Sequence, residues 1–280
     1  MVHPQLHCFA ESKKGKGWSY SPGFKWEKLL SRSYELYLFS IYTCYSDYLT
    51  SLYVFKRFYC KTSKEEKYSN KYKKEYELTN EQKESLIGLI LADAFLERVK
   101  PNHNTRLRID HTFPAQEAYV LSLYALFSPL IAMEPVISVR KPDQRTGKVY
   151  KSMYFRTLNF SCLNKYHDLF YKNKTKVVPL NIHELLTPRG LAHWIMGDGF
   201  LYDKAVVVLC TESFTKKELE VLIAALDKKF GIQATLNKRI STTGTVGWRI
   251  RVRKKSMDKL TTLVSPFFIP ELLYKLGIDQ

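Results

Sequence analysis

The apolar positions of this 280-residue chain fall into an order that occurs twice. LIGLILADAFL at residues 86–96 aligns with LAHWIMGDGFL at 191–201: Leu86/Leu191, Ile90/Ile195, Asp93/Asp198, Phe95/Phe200 and Leu96/Leu201 are identical, and Ala92/Gly197 and Ala94/Gly199 are both small. Each run has the length and apolar density of a buried helix. After the first come an alternating segment at 106–110, His111-Thr-Phe113, and a helical stretch at 115–131 with Tyr119, Leu123 and Leu126. After the second come 205–210, Glu212-Ser-Phe214, and 215–230 with Leu219, Leu222, Ile223 and Leu226 at helical spacing. A hairpin follows in each half, 136–139 with 148–160 around Pro142 and Gly147, and 234–240 with 247–252 around Gly244. Final helices are predicted near 162–171 and 257–264. The pattern predicts an α+β protein of two αββαββα repeats, 78–180 and 181–280, behind an N-terminal extension, 1–77, of unassigned role.

The helix starts carry their own signals. Thr187 with Pro188 at the first helical position opens the second repeat's helix, and Thr79 or Asn80 before Glu81 opens the first. Residues 177–190, with Pro179, Pro188 and Gly190, read as the linker.

Composition narrows the partner. Lys+Arg number 44 against 27 Asp+Glu, a formal charge of +17, spread as +6, +6 and +5 over residues 1–77, 78–180 and 181–280. An excess shared by the whole chain points to a polyanion that touches most of the molecule. The five cysteines, Cys8, Cys44, Cys60, Cys162 and Cys210, are odd in number and form no C-x-x-C pair, which argues against a disulfide framework or a cysteine zinc site. The nearest approach to a membrane span, residues 33–55, is broken by Glu35 and Asp47, and no secretory leader is evident, so no membrane partner is expected.

The candidate chemistry lies at Asp93 and Asp198, each closing an apolar helix. A buried carboxylate needs a partner, and a shared cation is one; the other reading is two helix-end residues facing solvent. If the helices pack side by side, both carboxylates meet where both helix dipoles are negative, and a divalent ion relieves the repulsion. Gly88 and Ala92, four apart, give the first helix a stripe small enough for such packing, and Gly197 serves the second. His193 stands where Gly88 stands in the first copy and is expected to be a hydrogen-bonded packing residue.

These two motifs, the repeated αββαββα order and the PRGLAHWIMGDG run at 188–199 resemble the single-chain LAGLIDADG homing endonucleases over residues 78–280. The resemblance implies two halves packed through the motif helices, with antiparallel sheets forming a DNA-binding saddle. It implies that Asp93 and Asp198 bind Mg2+ and that each centre hydrolyses one DNA strand. It further implies polar and basic residues organising solvent there, for which His111, Glu212 and Lys254 are the candidates. No lysine matches Lys254 in the first half, where Phe160 and Ser161 stand. Ala94 departs from the family's usual glycine, and His193 is unusual for the seam.

Binding is read from alternation. Arg249, Arg251 and Arg253 alternate with Ile250 and Val252, and Arg106 and Arg108 with Leu107 and Ile109, so each strand has one cationic face for double-stranded DNA. Arg156 joins that set. Lys141, Arg145 and Lys148 in one hairpin and Lys238 and Arg239 in the other are expected at the backbone. Three functions follow in parallel: a double-strand endonuclease promoting intron mobility, an intron-RNA maturase, and a DNA-binding protein with inactive centres. Unequal halves imply an asymmetric site and a monomer, and the resemblance suggests an organellar protein of a mitochondrion or chloroplast.

Overall fold

The computed structural model describes residues 69–240 and 244–278, all within the compact unit Ser63–Gln280. The interrupted apolar stretch at 33–55 and Cys8, Cys44 and Cys60 lie outside the described residues. Among those described, no helix is long and apolar enough to cross a membrane, and Cys162 and Cys210 are free thiols.

A short helix, α1 (Asn70–Glu75), comes first. It falls within the segment read as lying outside both repeats, yet Tyr72 and Tyr76 pack on Phe160 of the first half, with ring centroids 6.0 and 5.5 Å away. The first repeat then runs α2 (Asn80–Leu91), β1 (Phe95–Glu97), β2 (Arg106–Thr112), α3 (Glu117–Leu126), β3 (Val136–Val139), β4 (Lys151–Arg156) and α4 (Asn164–Phe170). A small hairpin, β5 (Tyr171–Lys172) and β6 (Thr175–Lys176), and a single turn, α5 (Ile182–Leu185), lead to the second repeat. That repeat runs α6 (Pro188–Asp198), β7 (Gly199–Tyr202), β8 (Val206–Leu209), α7 (Lys216–Phe230), β9 (Ala234–Ile240), β10 (Val246–Val252) and α8 (Met257–Val264), and 3-10 segments Ser265–Phe267 and Pro270–Leu276 follow. The expected αββαββα order is present twice.

Each half holds one four-stranded antiparallel sheet, in the orders β1-β2-β4-β3 and β7-β8-β10-β9. The inner face of the first carries Leu107, Ile109 and Phe155 under α3, which buries Tyr119, Val120 and Leu123; the second carries Val207, Leu209, Ile250 and Val252 under α7, which buries Leu219, Leu222 and Leu226. One continuous apolar core joins both halves, at roughly 1.5–3 kcal/mol for each fully buried Leu, Ile or Phe side chain.

The motif helices lie at the centre of that core, apolar around most of their circumference as a doubly covered helix must be. A capping box starts α2: Gln82 N donates to Thr79 Oγ1 (3.2 Å) and Thr79 N to Gln82 Oε1 (3.1 Å). Thr187 caps α6, accepting from Gly190 N at 3.2 Å, with Pro188 in the first turn. The segment read as a linker is packed instead. Val178, Ile182 and Leu186 are buried, and Val178 N donates to Glu218 Oε1 at 3.0 Å. Ile182 opens the single helical turn and Leu186 caps its end, while Val178 is buried in the irregular segment before it.

Candidate active site and nucleic-acid face

The two motif helices touch along small residues. A Cβ added to Gly88 would lie 1.8 Å from the Gly190 carbonyl oxygen, and one added to Gly197 would lie 2.7 Å from the Ala92 Cβ. The stripe Gly88 and Ala92 forms the seam as expected, but the residue facing Gly88 is Gly190. His193 is buried beside the seam, where Tyr119 Oη lies 3.1 Å from its Nδ1 and donates to its carbonyl oxygen at 3.2 Å. It is a packing residue. Burial, with Arg189 nearby, holds its ring uncharged and its pKa down to about 3.

At the far end of the seam Asp93 follows α2 and Asp198 closes α6. β1 and β7, the edge strands of the two sheets, begin one or two residues later. The two carboxyl groups lie within electrostatic reach of each other, and burial followed by the charge of Asp93 pushes Asp198 up to about 8. Asp93 is exposed and Asp198 half-buried, so a bound ion could be reached from outside.

Two lysines cap these helix ends in matching fashion. Lys176 Nζ, from β6, donates to the carbonyls of Ala92 (2.9 Å) and Ala94 (3.1 Å). Lys275 Nζ, from the last 3-10 segment, donates to those of Met196 (2.6 Å) and Gly197 (3.4 Å). Each ammonium lies within electrostatic reach of both aspartates, while burial lowers its pKa. Sequence reasoning missed both residues and chose Lys254, which is exposed in the 3-10 turn after β10.

His111 is at the centre. It lies on the core face of β2, feels the charges of Asp93 and Lys275, and packs on Tyr119 with ring centroids 5.3 Å apart; burial lowers its pKa. Glu212 is not its counterpart. Phe95 pairs with Arg108, and Phe200 with Val208. Counting three residues on from each puts His111 opposite Thr211 in the pseudo-symmetry, and Asp110 opposite Cys210. Cys210 N donates to Asp198 O at 3.1 Å, whereas Glu212 turns to the strands, 2.5 Å from Arg249 Nε and 3.2 Å from Arg239 Nη1.

The arginines occupy the outer sheet faces, as alternation requires, but their charge is partly answered. Arg106 pairs with Glu97 at 2.6 Å, and Arg108 with Asp110 at 2.8 Å and Glu97 at 3.7 Å. The expectation of a mainly positive face left out these acids, one of which reaches over from the neighbouring strand. Arg108 and Arg156 both lie over the Tyr154 ring, at 5.5 and 5.4 Å, and Arg251 lies over Tyr202 at 4.9 Å. Lys141, Arg145 and Lys148 are exposed in the β3–β4 connection, and Lys238 and Arg253 are exposed in the second half.

Two αββαββα halves, abutting glycine-bearing helices and one aspartate at each helix end define the class. The chain belongs to the LAGLIDADG DNA endonuclease family, whose model matches residues 83–260. It is similar to the cytochrome b mRNA maturase bI2 of Debaryomyces hansenii, 31% identical over 202 residues, or 71% of this chain and 75% of that one. It is also similar to the DNA endonuclease I-ChuI of Chlamydomonas applanata, 29% identical over 211 residues, or 71% of this chain and 96% of that one. Among solved structures, the homing endonuclease I-WcaI bound to its DNA recognition sequence matches with a TM-score of 0.67 and 27% identity, covering 76% of this chain and 95% of that one.

Proposed function

We propose that this protein is a site-specific endonuclease that cuts both strands of a long, asymmetric DNA target by Mg2+-dependent phosphodiester hydrolysis, acting as a monomer encoded by a mobile organellar intron. The observation that carries the reading is the meeting of Asp93 and Asp198 at the seam between the sheets. Two neighbouring carboxyl groups repel when both are charged, which together with burial pushes Asp198 up to about 8, and a divalent cation that takes the place of its proton relieves that repulsion. The donor set is oxygen only, and among the described residues no group of three or more His, Cys, Asp or Glu could enclose a metal. That suits Mg2+, which keeps waters and completes its shell with substrate phosphates.

Asp93 and Asp198 would hold such an ion, which would supply Lewis-acid charge at the scissile phosphate. Lys176 and Lys275 stand on either side as fixed cations where negative charge grows at the phosphate, and their carbonyl partners keep both ammonium groups from swinging away. Outside the centre, Arg249, Arg251, Arg156 and the exposed lysines of both hairpins carry the duplex, reading base edges in the major groove and neutralising phosphates. The many Lys, Tyr, Phe, Ile and Asn residues suit the AT-rich genome of an organelle.

A second reading, an intron-RNA maturase, is favoured by the resemblance to a relative named as a maturase. Both readings are tested together by incubating the protein with intron-less target DNA and with intron RNA, in Mg2+ and in Ca2+. The nuclease reading expects double-strand cuts in Mg2+ that Asp93→Asn or Asp198→Asn abolishes, with DNA affinity changed less than severalfold. Retained cutting by Asp198→Asn rejects it, and splicing assistance unaffected by either substitution favours the maturase.

A further inference from the structure

We infer that Glu212 is a positioning residue for DNA specificity, a clasp that fixes the guanidinium groups of Arg249 and Arg239 so that they read base edges in the half-site under β9 and β10. The inference rests on the endonuclease reading, whose centres Glu212 does not join.

Four observations on different residues converge. One carboxylate oxygen, Glu212 Oε1, accepts from Arg249 Nε (2.5 Å) and from Arg239 Nη1 (3.2 Å), joining two adjacent strands whose register pairs Arg239 with Gly247. Gly247 leaves room for the clasp: a Cβ there would lie 2.8 Å from Glu212 Cγ and 2.9 Å from its Cβ. Arg249 is held from another side by Phe200, 5.4 Å from its guanidinium carbon. Its side chain is only 20% exposed, against 51% for Arg239, so Arg249 is the more firmly held of the two.

The chemistry follows from the geometry of arginine. A guanidinium has five N–H donors in a rigid plane. A carboxylate on Nε occupies one edge and leaves Nη donors for the O6 and N7 acceptors of guanine, the commonest specific contact in the major groove. A free arginine adopts many rotamers and meets any phosphate in reach. A clasped one can meet only an acceptor pair in its plane, and the glutamate repels backbone phosphate that approaches elsewhere. Glu212 therefore lowers non-specific affinity while sharpening the specific one.

The test compares wild type with Glu212→Gln and with Gly247→Ala, whose methyl displaces the Glu212 side chain. Binding is measured in Ca2+ to the selected target and to a scrambled duplex over a salt series, and single-turnover cleavage in Mg2+ at saturating DNA. The expected result is a specific to non-specific ratio at least tenfold lower in both variants, with scrambled DNA bound more tightly. The slope of log K against log salt steepens by about 0.9 for the negative charge removed by Glu212→Gln. Loss of discrimination at the base pair read by Arg249 should be non-additive with Arg249→Lys. Unchanged discrimination in both variants overturns the inference, and so does a loss confined to the cleavage rate at saturating DNA. If wild type itself fails to bind or cut any duplex, the endonuclease reading fails instead.

Discussion

Gly88 meets Gly190 across the seam so closely that a single methyl on Gly88 would lie 1.8 Å from the Gly190 carbonyl oxygen. The atoms in the way are backbone, which no rotamer change can clear. Gly88→Ala must therefore drive the two motif helices apart, and it is expected to cost at least about 3 kcal/mol of stability, at the upper end for an overpacked core. It should also abolish cleavage, because the aspartates sit at the helix ends. Gly147→Ala is the control: its φ of +66 makes alanine strained, but the site is open, so about 1–2 kcal/mol is expected. Urea unfolding of both variants checks this; equal costs would mean that the seam yields.

Lys176 and Lys275 should matter more than Lys254. Replacing either of the first two by Met removes a fixed cation beside both aspartates, and single-turnover cleavage in Mg2+ should fall at least about 100-fold. DNA affinity in Ca2+ should stay within threefold. Lys254→Met should cut at close to the wild-type rate. Full activity in Lys176→Met would show that the capped helix ends are structural only.

His193 predicts an acid limit to stability. Its ring titrates near 3 when folded and near 6.5 when unfolded. Above about 6.5 neither state binds the proton and its contribution is complete. As pH falls from 6.5 toward 3, only the unfolded chain takes up the proton, so stability drops by about 1.4 kcal/mol per pH unit. Between pH 7 and 4.5, wild type should lose roughly 2 kcal/mol more than His193→Gln, whose side chain can still hydrogen-bond Tyr119 Oη. Parallel losses in the two proteins would assign the acid sensitivity to other groups.

The fold was largely legible because its signals are local. The paired motifs fixed the repeat, Thr79 and Thr187 marked where the helices begin, and arginines at every second position revealed the outer sheet faces. What the sequence hid is set by tertiary contact. Lys176 lies 84 residues beyond Ala92 and Lys275 lies 79 beyond Met196, and nothing near either lysine marks the carbonyls it caps. Glu212 followed β8 much as His111 ended β2, so matching His-Thr-Phe with Glu-Ser-Phe paired them. Strand register, which a gapless match cannot see, puts Thr211 there. The acids answering Arg106 and Arg108 were equally invisible, because Glu97 comes from the adjacent strand.

The contact of Ala92 with Gly197 has a consequence for how the molecule can fail. Sliding either rod by one residue, about 1.5 Å, carries its own acidic tip away from the opposite one, and neither lobe can correct the offset alone. If each half cuts one strand as proposed, injury to this junction is expected to silence both halves together, whereas nicking of a single strand would point to damage within one lobe.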